Sequence, residues 1–133
     1  MYQKRLIPIT VLFTVLIFAC GKDDELVGSS TDREKFIGNW AGTYECASSP
    51  ADTMFIAKGS GDLDFRITLH TSVAAVFVDV VDGELTDVNI ITIPEQTIGF
   101  FPGSGEITFS NNTLSLVQRG LGLTCRGSDY IKY

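Results

Sequence analysis

The chain has 133 residues, of which 44% are hydrophobic, with 10 basic and 16 acidic side chains and a formal net charge of −6. That balance argues against nucleic acid, which calls for clustered Lys and Arg, and against docking on an anionic lipid surface. The length suits one domain with a core of its own, small enough to gain from a covalent staple.

Lys4 and Arg5 make the N-terminus basic, and Leu6 to Ala19 then runs without a charge, broken only by Pro8, Thr10 and Thr14. A membrane-spanning helix needs about 20 apolar residues. This run is shorter and follows a basic segment, so it reads as a secretory leader; an uncleaved short anchor is the alternative. The run ends Ile17-Phe18-Ala19-Cys20, which resembles the lipobox of bacterial lipoproteins: an aliphatic residue, a variable one, a small one, then Cys. The resemblance implies cleavage before Cys20 and acylation of its thiol, the one side chain that can form the thioether. A multi-chain lipid anchor holds firmly, since each buried methylene contributes about 0.8 kcal/mol. Loss of Lys4 and Arg5 leaves eight basic against sixteen acidic residues, a net charge of −8.

Lys22-Asp23-Asp24-Glu25 follows the cysteine. A charge run of this kind is ordinarily a solvated tether. In this position it also resembles the surface-export signal of Bacteroidota lipoproteins, which implies an outer-membrane protein facing the cell surface; a periplasm-facing lipoprotein is the alternative. Gly21 to Lys35 is rich in Gly, Ser and Asp and reads as a flexible linker. It would span about 20 Å on average and about 50 Å at full stretch. The expected organisation is a leader over 1–19, a lipidated tether over 20–35 and a folded domain over 36–133.

With Cys20 taken by lipid, Cys46 and Cys125 remain. An oxidising compartment and an even count favour a disulfide over two buried thiols. Closing that loop would restrict the unfolded chain by about 4.5 kcal/mol in the chain-entropy model.

From Phe36 onward the pattern is β. Trp40, Gly42, Tyr44 and Cys46 share one face at period two. Met54-Phe55-Ile56 centres a second strand, and Gly59-Ser60-Gly61-Asp62 is a turn. Phe65, Ile67 and Leu69 alternate with Arg66, Thr68 and His70. The β-branched run to Val81 is closed by Asp82-Gly83, a strong hairpin signal. Asn89 to Ile93 is expected to stop at Pro94, which cannot donate to a ladder. Gly103-Ser104-Gly105 reads as a turn leading into Ile107 and Phe109, and Asn111-Asn112 as a turn into Leu114 and Leu116. The last strand places Leu123, Cys125, Ile131 and Tyr133 in phase. Short strands at this spacing predict an all-β fold, an eight-stranded antiparallel meander barrel or barrel-like sandwich. A Cys46–Cys125 bond would bring the first and last strands together and favour closure, which removes the exposed edges.

Gly38-Asn39-Trp40, Tyr44-Glu45-Cys46, Ile93-Pro94-Glu95-Gln96-Thr97, Gly103-Ser104-Gly105-Glu106-Ile107 and Thr124-Cys125 together resemble the small lipocalin-like lipoproteins of Bacteroidota, over Phe36 to Tyr133. The likeness implies a barrel and a binding or structural role more than any activity. The Gly-x-Trp opening is also similar to that of true lipocalins. There the Trp plugs the barrel floor under an Arg of the last strand, which would make Arg126 the partner of Trp40. Barrels of eight strands are filled by side chains or hold one small ligand. Tyr44-Glu45-Cys46 with Cys125 is similar to C-type lysozyme inhibitors, which insert a Ser-Gly-x-x-Tyr loop into the enzyme. Ser104 to Glu106 would be that loop, though this chain lacks the Tyr. Inhibition of an envelope-attacking hydrolase, or carriage of a small apolar ligand, are thus the alternatives to a surface-displayed module that contacts an unknown protein or glycan.

His70 has no ligand-spaced companion, and metal sites need several donors. No nucleophile elbow, phosphate loop or dinucleotide fingerprint occurs. A non-catalytic protein with no cofactor and no metal is expected. Asp52-Thr53-Met54 matches the loose O-glycosylation motif of Bacteroidota, with Thr53 as acceptor. Asn111-Asn112-Thr113 fits N-x-S/T but reads as a hairpin turn. Phe100 and Phe101 stand side by side before Pro102-Gly103. Adjacent residues cannot both face the core of one strand, so at least one is expected at a rim, available to a partner.

Overall fold

The computed structural model describes residues 28–46, 51–71 and 77–133. The leader, Cys20 and the Lys22–Glu25 cluster lie outside them. The described chain forms a short helix, α1 (Ser30–Glu34), and eight strands: β1 (Gly38–Tyr44), β2 (Ala51–Lys58), β3 (Asp64–Thr71), β4 (Phe77–Asp87), β5 (Ile90–Ile98), β6 (Phe101–Ser110), β7 (Thr113–Gly120) and β8 (Leu123–Lys132). Each strand pairs antiparallel with the next, and β8 returns to β1 to close the barrel. Period-two patterning drives closure: Trp40 and Tyr44 on β1, Met54 and Ile56 on β2, and Phe65, Ile67 and Leu69 on β3 are all buried inside. Every member of the core lies between Phe36 and Tyr130.

Several local expectations give way. The linker expected up to Lys35 folds in its last part. Ser29 caps α1, accepting from the Asp32 N–H at 3.2 Å while the Ser29 N–H donates to the Asp32 carboxylate at 2.9 Å. That reciprocal bond holds the Asp32 carboxyl below its usual range. The helix is five residues long, too short for an apolar period to announce it. It is held by packing: Arg33 is buried and donates to Gly61 O at 2.7 Å, and Glu34 pairs with Lys58.

Asp82-Gly83 is not a hairpin. β4 runs straight through it, pairing Asp82 with Arg66 and Gly83 with Phe65, and the chain reverses at Val88-Asn89. Gly83 is needed for a different reason: a Cβ there would fall 2.8 Å from Ile91 and 2.9 Å from Ile67. The glycine signals close approach inside the barrel rather than a turn.

β5 does not stop at Pro94. The register with β6 shifts between Ile93 and Gln96, so a bulge carries the proline. The Gln96 side chain then does what the missing ladder would do. Its amide nitrogen donates to Asp82 O at 2.7 Å, and its oxygen accepts from the Asp82 N–H at 2.9 Å. Gly103-Ser104-Gly105 lies within β6, bonded to β5 and β7. The turn falls earlier, at Gly99-Phe100.

On β8 the expected phase breaks. Leu114 and Leu116 of β7 face Tyr130 and Gly127, so β8 holds one extra residue there, and Asp129 sits at φ 56°. Asp tolerates the left-handed region better than most residues. The bulge turns Tyr130 into the barrel, and Ile131 and Tyr133 onto its outside. The remaining turns agree with expectation. Asn111 and Asn112 have φ of 51° and 62°, the type I′ pattern, and Gly59 bonds across its turn to Asp64.

Candidate functional site

The two ends of the barrel are built from different residues. At one end the chain enters through α1, and Phe36 lies fully buried across the floor. Phe36 meets Phe65 and Phe109 edge-on, each at 5.7 Å, and Trp40 meets Phe109 at 6.4 Å. Trp40 Nε1 donates to Phe36 O at 2.8 Å, so the indole is both buried and satisfied. The cation over Trp40 is Lys132, 5.6 Å from the ring centre, and not Arg126. The register decides this: Trp40 faces Lys132 across the β1–β8 seam, whereas Arg126 faces Val117 and bonds through its carbonyl to the Glu45 N–H. Arg126 is exposed near the opposite end.

At that opposite end lies a cleft of about 350 Å³. It is bordered by the β5–β6 hairpin, the β7–β8 hairpin and the Cys46–Cys125 disulfide, whose Cα atoms are 5.6 Å apart. The sequence places small residues where the floor end has aromatics. Gly103 faces Gly120 across β6 and β7, and both border the cleft. With no side chains filling the space, Ile98 and the disulfide form the apolar wall. Below it lie the buried core side chains of the strands, among them Met54, Leu69, Ile93, Ile107, Leu114 and Leu116.

The two fully described hairpins at the mouth, β5–β6 and β7–β8, present apolar residues outward. Gly99 has φ 65° while Phe100 stays in the ordinary region, the type II′ arrangement. This leaves Phe100 76% and Phe101 53% exposed, where the adjacent pair required only one of them to be. In the β7–β8 turn Leu121 sits at φ 51° and Gly122 at φ 74°. Leucine in the left-handed region costs about 1–2 kcal/mol, and here it is 62% exposed beside the cleft. Leu123 stands next to it, equally open.

The base of the cleft is polar. The Tyr44 hydroxyl donates to Gln118 Oε1 at 2.9 Å. Behind it the buried Tyr130 hydroxyl donates to Asp52 Oδ2 at 2.6 Å. The Tyr130 ring covers Gly42 and Gly127, where a Cβ would fall within 2.7 Å of it. Burial pushes the Tyr44 phenol up to about 12, with help from the Asp52 charge. Burial and the Asp52 bond push Tyr130 up as well.

Asp52 was the residue least legible beforehand. It opened an expected strand as the acid of a glycosylation motif, yet it faces the lumen and is buried. Thr53 faces outward and half-buried on β2. Period-two counting from Met54 could have found Asp52, since residues 52, 54 and 56 share a face. Ser104, Gly105 and Glu106 do not form the projecting loop that an inhibitor would insert; they are mid-strand, paired on both sides. The His70 side chain lies outside the described residues.

Comparisons of the chain with protein-family models, with curated proteins and with solved structures find no match.

Proposed function

We propose that this is a lipid-anchored, surface-displayed binding module of the small lipocalin-like kind, which receives an apolar group at the mouth of its barrel. One observation carries the binding reading: the apolar cleft is ringed by exposed Phe100, Phe101, Leu121 and Leu123. Exposed apolar residues gathered around a concavity mark binding sites, whereas scattered ones do not. The geometry also suits an anchor. The chain enters the barrel beside α1, at the end opposite the mouth, so a lipid on Cys20 would leave the cleft pointing away from the membrane. The inhibitor alternative loses its support, because its loop is a strand. Carriage of a small apolar ligand gains support from the cleft.

Phe100→Ser and Phe101→Ser should leave the urea midpoint within about 0.5 kcal/mol of wild type and abolish binding of the neutral probe N-phenyl-1-naphthylamine. Undiminished probe binding by both variants would sink the binding reading. Display is tested by proteolysis of intact cells. The wild-type protein should be cleaved, and Lys22→Ala/Asp23→Ala/Asp24→Ala protected; equal protection of both rules out outward display.

A further inference from the structure

We infer that the mouth cleft selects an uncharged amphiphile, an apolar body ending in a single hydrogen-bond acceptor such as an alcohol, ester or amide oxygen, and that Gln118 is the residue that reads that end. The inference rests on the binding role proposed above and specifies its ligand class.

Three observations carry it. First, the volume of about 350 Å³ lies at the small end of ligand sites, which run from about 300 to 1,000 Å³. The cleft therefore fits one short chain or ring and not a folded partner. Second, its walls are Ile98, the disulfide and the aromatic and leucine rim, and its polar base is the Tyr44–Gln118 pair. The direction of that bond matters. Tyr44 donates to Gln118 Oε1, which occupies the phenol proton and engages the amide oxygen. The Gln118 amide nitrogen makes no hydrogen bond among the described residues, so the base offers N–H donors and calls for an acceptor. Third, the Asp52 carboxylate lies behind this pair, and its field reaches Tyr44, where it opposes formation of the phenolate. A ligand carboxylate placed against Gln118 would meet the same opposition. Arg119 borders the mouth, but on the outer face of β7 and exposed, where solvent and salt screen it.

The test uses the chain from residue 20 onward with Cys20→Ser, which retains every described residue and the whole core. Decanol, decanoate and decylamine, matched in chain length, are each used to displace N-phenyl-1-naphthylamine at neutral pH. Decanol should displace the probe roughly tenfold better than decanoate, about the effect of one charge-sensitive contact, and better than decylamine. Gln118→Leu should weaken decanol about fivefold relative to its effect on the probe. Gln118→Glu keeps an acceptor for Tyr44 while removing the amide donor. It should fold and show the same loss, which covers the case in which Gln118→Leu fails to fold. Equal or better displacement by decanoate overturns the inference, as does a preference for decylamine, which would mean that the Asp52 field and not the amide governs. Decanol affinity unchanged in Gln118→Glu also overturns it. If the wild-type chain binds no probe at all, the underlying binding role is what fails.

Discussion

The floor and the mouth of this barrel are made from the same strands and solve opposite problems. At the floor, Phe36, Trp40, Phe65 and Phe109 fill the end completely, and Lys35 and Lys132 lie over the outer ring faces. At the mouth, Gly103 and Gly120 take facing inward positions of β6 and β7, and the large apolar residues sit on the rim instead. One end excludes solvent by aromatic bulk. The other leaves a cleft among the described residues and is held in shape by the Cys46–Cys125 bond and by the Asp52–Tyr130 and Tyr44–Gln118 contacts. The difference teaches that bulk packing and open space are separated along the barrel axis, with the covalent staple placed at the end that packing leaves unfilled.

The largest way to break this division is to remove the disulfide. Cys46→Ser/Cys125→Ser releases a loop of 79 residues and should cost about 4.5 kcal/mol in the chain-entropy model, read as a fall in the urea midpoint. A loss below about 1 kcal/mol would mean that the mouth is held without it. Next, Phe36→Ala opens a cavity under a fully buried ring and should cost about 3–5 kcal/mol, while probe affinity of the folded fraction stays as in wild type. A changed affinity would show that floor and mouth are coupled.

The smallest effect is in the pH dependence. Tyr44 has its phenol raised from 10.0 to about 12, and Tyr130 is raised in the same direction. Above pH 10 the unfolded chain loses these protons before the folded one does, so the folded state binds more protons and stability falls as pH rises. The contribution is complete below pH 10 and is lost through about 12. Urea midpoints measured across that range should decline together with late phenolate absorbance, and Tyr130→Phe should flatten the decline. A decline as steep in Tyr130→Phe as in wild type would mean that other groups cause it.

Much of this architecture was legible in the residue order. Alternation on β1 and β3 and the Asn111-Asn112 turn led to an eight-stranded antiparallel barrel or barrel-like sandwich, the paired cysteines favoured closure, and the adjacent phenylalanines led to at least one exposed aromatic at a rim. The misreadings share a cause. Asp82-Gly83, Pro94 and Gly103-Ser104-Gly105 carry strong local turn or stop signals, and in each case the neighbouring strand overrode them. Gly83 and Gly105 are glycines because other residues come close, and Pro94 is tolerated because Gln96 replaces its ladder bond. The phase slip at Asp129 was invisible for the same reason. A bulge leaves no periodic mark of its own, yet it moves Ile131 and Tyr133 to the outside and Tyr130 to the inside.

Sequence by itself determined which faces are apolar and where most strands run, because period-two burial is a property of each strand alone; it left barrel and barrel-like sandwich both open, with closure favoured through the expected cysteine pair. Only the tertiary structure decided that Lys132 and not Arg126 covers Trp40, that Asp52 is buried against Tyr130, and that glycines of two strands meet to leave a cleft. Those facts depend on register between strands distant in sequence, and register is set by the sum of pairings around the closed barrel rather than by any one segment.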